Sequence, residues 1–581
     1  MQVEVIDTPS GFEGVKDAWD ALFARDPDAH CFLSWIWMAH WFERAGAWSV
    51  LAVRQETDGR YIAFLPLRRR TDFSDELGFS TSLLTGGSYF AVYTGFLCDP
   101  QEDEAAISVL AEALCLAPWR QLDFHDVFMS SRRIELLFRH LQQRGYAIDK
   151  VVRPRHVTDN GDRIDHDVYA YVDLPQDFET YLATSLGSRT RQDVRRALRD
   201  LDDPVNDLRV TEADADTIDT HLAVFYDLWG KQWMAGQPKY ATWLLECARY
   251  MLPNCFRAGV LRVFALWQGD RPLAVHIYLI DEARRQFVCF LVSRDLSFRK
   301  PSPGLLLHAC VIRQAIAEGF ISYDLGTGDF AYKFRLGAGR RIIERFRILS
   351  PVNDDLERVL DNASLSAVQK QVETFLKSGD IAKAGLGLRQ ARQRWPGETA
   401  FREQAERLEA LKRHASDFAN ASARHRAGHL DAAEREYRNI LSLVPRHFGA
   451  MHQLGLVCLQ RGEAHVARDW IRQALDIRPD SVPALCNYAN ALMALKDFPA
   501  AIKTYDRALS IDPAHAASLF GRGGLLKSIG RFDEALRDFR ALLSHQPSHP
   551  GAVAACAALV EQVVATQRSE EPAMAVEPGP A

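Results

Sequence analysis

The chain has 581 residues, enough for roughly four domain-sized units at about 150 residues each. Its hydrophobic fraction of 47% and charged fraction of 25% are ordinary for globular protein and exclude a mainly disordered chain, a collagen and a disulfide-stapled miniprotein. With 70 Lys and Arg against 76 Asp and Glu, the net charge of −6 argues against a bulk nucleic-acid binder. The ten cysteines (Cys31, Cys98, Cys115, Cys247, Cys255, Cys289, Cys310, Cys458, Cys486 and Cys556) form no CxxC pair and no Cys/His cluster with zinc spacing, so no metal is expected. The N-terminal segment lacks a basic and then apolar leader, and no apolar run approaches the roughly 18 residues of a membrane span. These features predict a reducing, cytoplasmic setting.

Residues 1–350 alternate short β-branched and aromatic runs with amphipathic helices, which predicts a layered α/β or α+β fold. One order of elements occurs twice. The hairpin VLAVRQETDGRYIAFLPLRRR, the strand SYFAVYTGFL, the helix EDEAAISVLAEALCL and the strand QLDFHDV make the first set. The hairpin LRVFALWQGDRPLAVHIYLID, the strand RQFVCFLVS, the helix PGLLLHACVIRQAIAEGF and the strand ISYDLGT make the second. Two copies of one unit are expected, over 1–165 and 166–350. Strand pairing does not follow from this order.

The C-terminal third repeats with a fixed step. Pro445, Pro479, Pro513 and Pro547 lie 34 residues apart, as do Ala433, Ala467, Ala501 and Ala535. Gly428, Gly462 and Gly530 keep the step, with Lys496 at the missing glycine, and Tyr437, Ile471, Tyr505 and Phe539 form a fourth column. Such a period means stacked helical hairpins. The small Ala lets two helices approach, the Gly or Lys turns the chain, and the Pro ends each second helix. The pattern, with Leu454-Gly455, Ala474 and Pro479, resembles the tetratricopeptide repeat (TPR) over 414–549, as four units. A degenerate unit is expected at 365–398, with Gly379, Ala384, Leu388, Ala391 and Pro396 at matching offsets, inside a helical linker spanning 351–413. An extra helix at about 399–413 separates it from the array. A capping helix at 550–566 and a disordered tail at 567–581 close the chain.

In the second copy, SPGLLL (302–307), EGF (318–320), YDLG (323–326) and YKFRLG (332–337) together resemble the CelD/BcsL-type acetyltransferases, a branch of the GNAT superfamily whose doubled fold FemAB-like aminoacyl transferases share. FLSWIWMAHWF and AFLPLRRR in the first half are similar too, so the resemblance spans roughly 1–350. It implies acyl transfer from acyl-CoA, with acetyl-CoA the expected donor, to an amine or hydroxyl. The acceptor would be a small molecule or polysaccharide precursor, and some members serve polysaccharide synthesis. Two alternatives stand beside this reading: a FemAB-like transferase using aminoacyl-tRNA, and a catalytically inactive scaffold whose repeats do the work.

The donor phosphates need backbone N–H groups at a helix N-terminus, with Gly for close approach. Arg299, Lys300, Ser302, Gly304 and Leu305 supply that pattern, with fewer glycines than a GNAT loop usually carries. The equivalent helix of the first copy opens with Glu102, Asp103 and Glu104, which would repel pyrophosphate. Only the second copy is therefore expected to bind the donor. Acyl transfer further needs a base, an oxyanion site and an acid for the departing thiolate. GNAT enzymes often use a Tyr as that acid, which makes Tyr332 the candidate. His276, Asp324 and Asp329 compete as base. Lys333 and Arg335, inside the family-like motif, and Arg191 and Arg195, one turn apart on a helix, are candidate contacts to an anionic substrate. Arg340, Arg341, Arg345 and Arg347 read as an exposed sheet face. Asn487 and Asn490 could clamp a protein or peptide partner in the repeat groove. No Walker loop, HExxH, GxSxG or Rossmann fingerprint occurs.

Overall fold

A computed structural model of the protein describes residues 1–570, apart from 89, 158–161, 234–237, 299 and 352–354. The chain forms two compact units, 1–402 and 403–581.

The first unit holds two large mixed sheets that repeat one topology. Along the first sheet the strands run Gln2–Ile6, Trp48–Arg54, Tyr61–Ser74, Gly78–Thr85, Gln121–Val127, Glu344–Leu349 and Ala147–Lys150. Along the second they run Leu208–Glu212, Leu261–Gln268, Arg271–Asp281, Gln286–Arg294, Ser322–Thr327, Val168–Asp173 and Gly339–Ile342. Each sheet is antiparallel except for one parallel pair, between its fourth and fifth strands. The sixth place in the first sheet is filled from the second half of the chain. Glu344–Leu349 follows the second copy but pairs with Gln121–Val127 and Ala147–Lys150.

This crossover interlocks the two copies. It also explains the arginine-rich stretch expected as a single strand. Ile343, 2% exposed, is the pivot between two strands of different sheets. Arg340 stacks on Phe334, Arg341 lies over Phe128 and Tyr171, Arg345 pairs with Asp126 at 2.8 Å, and Arg347 pairs with Asp123 at 3.2 Å. These cations tie the halves together.

Helices cover the sheets because their apolar residues recur at helical spacing. Asp103–Leu116 buries Ala106, Ile107, Leu110, Ala111 and Leu114 against the first sheet. Pro303–Ala317 is buried almost all round, from Leu306 to Ile316, between the second sheet and helix Ser188–Asp202.

The degenerate unit at 365–398 forms the expected hairpin, Leu365–Ser378 and Ile381–Arg394, but it belongs to the first unit. It docks on the Tyr61–Ser74/Gly78–Thr85 hairpin. Phe375 meets Phe73 with ring centroids 4.7 Å apart. The Gln390 carbonyl accepts from the Phe79 amide at 2.6 Å, and its NH2 donates to the Leu77 carbonyl at 2.7 Å.

The helix expected at 399–413 does not stop there. Thr399–Arg426 is one helix, since no Gly or Pro interrupts that stretch. From it the second unit continues as helical hairpins, Leu430–Leu443, Phe448–Gln460, Ala464–Leu475, Val482–Ala494, Phe498–Ile511, Ala516–Ser528 and Phe532–His545, closed by Pro550–Glu570. The final helix runs past 566, and the remainder of the expected tail lies outside the described residues. Ala433, Ala467, Ala501 and Ala535 are all fully buried, as the close approach of paired helices requires. Gly428, Gly462 and Gly530 take φ near +80°, and Lys496 takes the same left-handed turn at φ +60°. A side chain in that region costs about 1 kcal/mol. Lys496→Gly is therefore expected to stabilise the second unit by about that amount, as a raised midpoint in chemical denaturation.

Candidate functional site

The site is built where two parallel strands part. Gln286–Arg294 and Ser322–Thr327 pair only from Gln286↔Ser322 to Val288↔Asp324. Beyond that point no ladder bonds join them, and helix Pro303–Ala317 follows the first of the two strands in the chain. The first sheet has the same parallel pair, from Ser82↔Gln121 to Leu84↔Asp123, but its opening is stitched shut. There Thr94 bridges to Val127, and its hydroxyl meets the Thr85 hydroxyl at 3.0 Å and the His125 carbonyl.

The two helix N-termini differ in the same sense. Ser302 is the N-cap of Pro303–Ala317, yet its hydroxyl makes no capping bond and no acid lies in the first turn. Pro303 has no N–H, and Leu306 donates to the Ser302 carbonyl at 3.0 Å. The Gly304 and Leu305 amides precede the first helical bond and carry the positive end of the dipole. A side chain at Gly304 would meet nothing within 4 Å. Helix Asp103–Leu116 instead starts with its own acids: Asp103 accepts from Arg133 at 2.8 Å, and Glu102 accepts from Gln55 at 2.9 Å. Arg299 lies outside the described residues, and Lys300 is exposed.

Of the three candidate bases, Asp324 sits at the point of parting. It is 5% exposed, takes the Gly326 amide at 2.7 Å and accepts from the Tyr93 hydroxyl at 3.1 Å. Burial pushes its carboxyl up to about 7, against the opposing pull of these donors and the Lys333 charge. His276 is deep in the second sheet, 2% exposed, with Nδ1 3.1 Å from the Tyr278 hydroxyl; burial first and the neighbouring His308 second hold it neutral. Asp329 accepts from the Asp165 amide at 2.7 Å and fixes the loop before Val168–Asp173.

Tyr332 opens the short helix Ala331–Arg335. It is 41% exposed, and its ring stacks on His308 with centroids 6.0 Å apart. Lys333, expected to face substrate, is 3% exposed. Its ammonium donates to the Gly326 and Thr327 carbonyls at 3.0 and 2.5 Å, bracing the turn that follows Asp324. Burial lowers its pKa to about 8. The other cationic candidates also serve their own chain. Arg191 donates to the Ala183 and Leu186 carbonyls, Arg195 to Glu179, and Arg335 reaches Asp193 at 3.5 Å. In the repeat unit Asn487 contacts His452 at 2.9 Å, and Asn490 accepts from Tyr505, so both tie one helix to a neighbour.

Two participants escaped the sequence reading. Tyr93 comes from the first copy and reaches Asp324 only because the halves interlock. His308 lies mid-helix, where its Nδ1 meets the Tyr323 hydroxyl at 2.7 Å and Tyr323 meets Tyr278 at 2.7 Å. An apolar helix with one His gives no signal of such a buried polar chain.

Residues 188–334 match the family model described as acetyltransferase (GNAT) domain, and 418–482 and 487–553 match that of the tetratricopeptide repeat. No match is found among curated proteins. Among solved structures, FemX is 13% identical, with 60% of this chain and 98% of that chain covered and a TM-score of 0.42. A tetratricopeptide repeat protein from Parabacteroides merdae is 20% identical over 36% of this chain and 77% of that one, with a TM-score of 0.24. MamA is 18% identical over 28% and 98%, also at 0.24. Two segments of the chain are thus similar to known families, residues 188–334 to a GNAT-type acetyltransferase domain and 418–553 to tetratricopeptide repeats.

Proposed function

We propose that the protein transfers an acyl group, acetyl in the first instance, from acyl-CoA to an amine or hydroxyl, and that its repeats recruit a protein or peptide partner. The observation that carries this reading is the asymmetry of the two copies. One parallel pair is unbridged beyond its ladder and is followed by a helix with no acid in its first turn; the other is bridged through Thr94 and followed by a helix with Asp103 and Glu104 in its first turn. In the unbridged copy, the Gly304 and Leu305 amides receive the pyrophosphate. Asp324 takes the proton from the acceptor, and Tyr332 stands by to protonate the departing thiolate. None of the ten cysteines is disulfide-bonded, which fits a reducing compartment.

Calorimetric titration of acetyl-CoA into the full chain tests the donor site. Binding is expected for the wild type and at least a tenfold loss for Gly304→Glu. Open space at Gly304 admits the new side chain, and a carboxylate there suits the helix dipole, so the fold should hold. Equal binding by both proteins would sink the assigned pyrophosphate seat. No binding of acetyl-CoA, with binding of an aminoacyl-tRNA, would favour the FemAB-like chemistry.

A further inference from the structure

A cavity is lined by residues of both copies. Its volume is about 120 Å³, and Trp41, Arg44, Arg68, Ser88, Phe90 and Trp243 form most of its wall. Trp41 comes from helix Trp35–Phe42, Arg68 from strand Tyr61–Ser74 and Trp243 from helix Pro238–Arg257, while Arg44, Ser88 and Phe90 lie in connecting segments. The size suits one ring, since an apolar cavity of roughly 150 Å³ takes a benzene. Trp41, Phe90 and Trp243 supply flat apolar faces. Arg44 supplies charge: its guanidinium lies 5.4 Å from the Tyr250 ring centre, and among the described residues no carboxylate pairs with it.

Ser88 gives an independent sign of a ligand. It is 2% exposed, lines the cavity, and among the described residues its hydroxyl has no hydrogen-bond partner. Leaving a buried hydroxyl unpaired is unfavourable, so a polar group or water in the cavity would pair with it. The cavity also adjoins the chemistry. Phe90 meets Phe290 edge-on at 5.2 Å, and Phe290 lies on Gln286–Arg294 beyond its parting from Ser322–Thr327. Five residues after Ser88, Tyr93 is hydrogen-bonded to Asp324.

We propose that this cavity seats the acceptor, and that the acceptor is a single-ring molecule carrying an anionic group. Its ring lies among Trp41, Phe90 and Trp243, its anion faces Arg44, and a polar substituent pairs with Ser88. The assignment of the occupant as acceptor rests on the acyl-transfer reading; the ring and the anion rest on the cavity alone.

Cys247, also on the cavity wall, provides a local reporter. Benzoate and glucuronate are the ring anions to test, with benzyl alcohol and glucose as neutral counterparts. Alkylation of Cys247 in the full chain by iodoacetamide is followed by mass spectrometry. At least one anion should slow Cys247 modification tenfold or more at saturation, and its neutral counterpart should bind at least tenfold more weakly. Arg44→Gln should remove that preference. Protection by benzoate identifies an aromatic acid, and protection by glucuronate an acidic sugar. Protection by neither anion, or an anion preference that Arg44→Gln leaves untouched, would overturn the proposal. Acetyl-CoA titration of the same sample separates failure of this cavity from failure of the donor site.

Discussion

Asp324→Asn is expected to remove most acyl transfer while making the fold more stable above pH 7. A positioned base contributes about 10²- to 10⁴-fold to rate, so CoA release should fall by that order with acetyl-CoA affinity unchanged. In the wild type, kcat/KM should rise about tenfold per pH unit below pH 7 and level above it, following deprotonation of a carboxyl held near 7. The variant should lack that limb. The stability sign follows from the same group. Its folded pKa lies above the unfolded 3.8, so the native state loses stability as pH rises through about 7. Each unit of separation is worth about 1.4 kcal/mol. Asn escapes this loss because it never ionises. Its carbonyl can take the Gly326 amide, and its NH2 can donate to a Tyr93 hydroxyl that rotates to accept. A variant that kept the pH limb, or was less stable than wild type at pH 8, would remove Asp324 from the role of base.

The second unit was more legible than the first because its contacts are local. A 34-residue step fixes which residues meet, and the buried Ala column and the left-handed turn at Lys496 follow from it. Even there one boundary failed. Helicity through Thr399–Arg426 has no breaker to mark where an added helix becomes the first repeat. In the first unit, the order of elements in each copy was visible as alternating period, but pairing between distant strands carries no such mark. The exchange of Glu344–Leu349 into the first sheet depends on contacts some 200 residues apart, such as Arg345 with Asp126. The candidate site divides the same way. Gly304 and Asp324 stood in readable motifs at a helix start and a strand end. Tyr93 and Ser88 stood in a segment with no motif, and their neighbours come from tertiary structure. Charge alone does not show a side chain's partners: Lys333, Arg191 and Arg195, expected as ligands to an anion, are each engaged with the chain's own carbonyls or carboxylates.

Arg133→Met is expected to destabilise the first unit by about 3–5 kcal/mol, enough to lower the yield of folded protein. Arg133 is 1% exposed and all its bonds are internal. It donates to both Asp26 oxygens at 2.7 and 2.9 Å, to Asp103 at 2.8 Å and to the Cys98 carbonyl at 2.8 Å. The cluster holds helix Ser131–Gln142 to the acidic first turn of Asp103–Leu116. Through the Asp26 carbonyl, which accepts from Arg284 at 2.7 Å, it also reaches the second copy. Burial already raises the Asp26 carboxyl, and the Arg133 charge opposes that rise. Without Arg133 the carboxyl rises further, so the variant's deficit should grow as pH increases and shrink toward pH 5. Lost packing alone would give a deficit that does not depend on pH. Asp26→Asn in the Arg133→Met background should recover part of the loss at pH 8, because it removes the stranded charge while the Cys98 amide keeps an acceptor. A pH-independent deficit, or no recovery in the double variant, would mean that the cluster stabilises by shape rather than by pairing its charges.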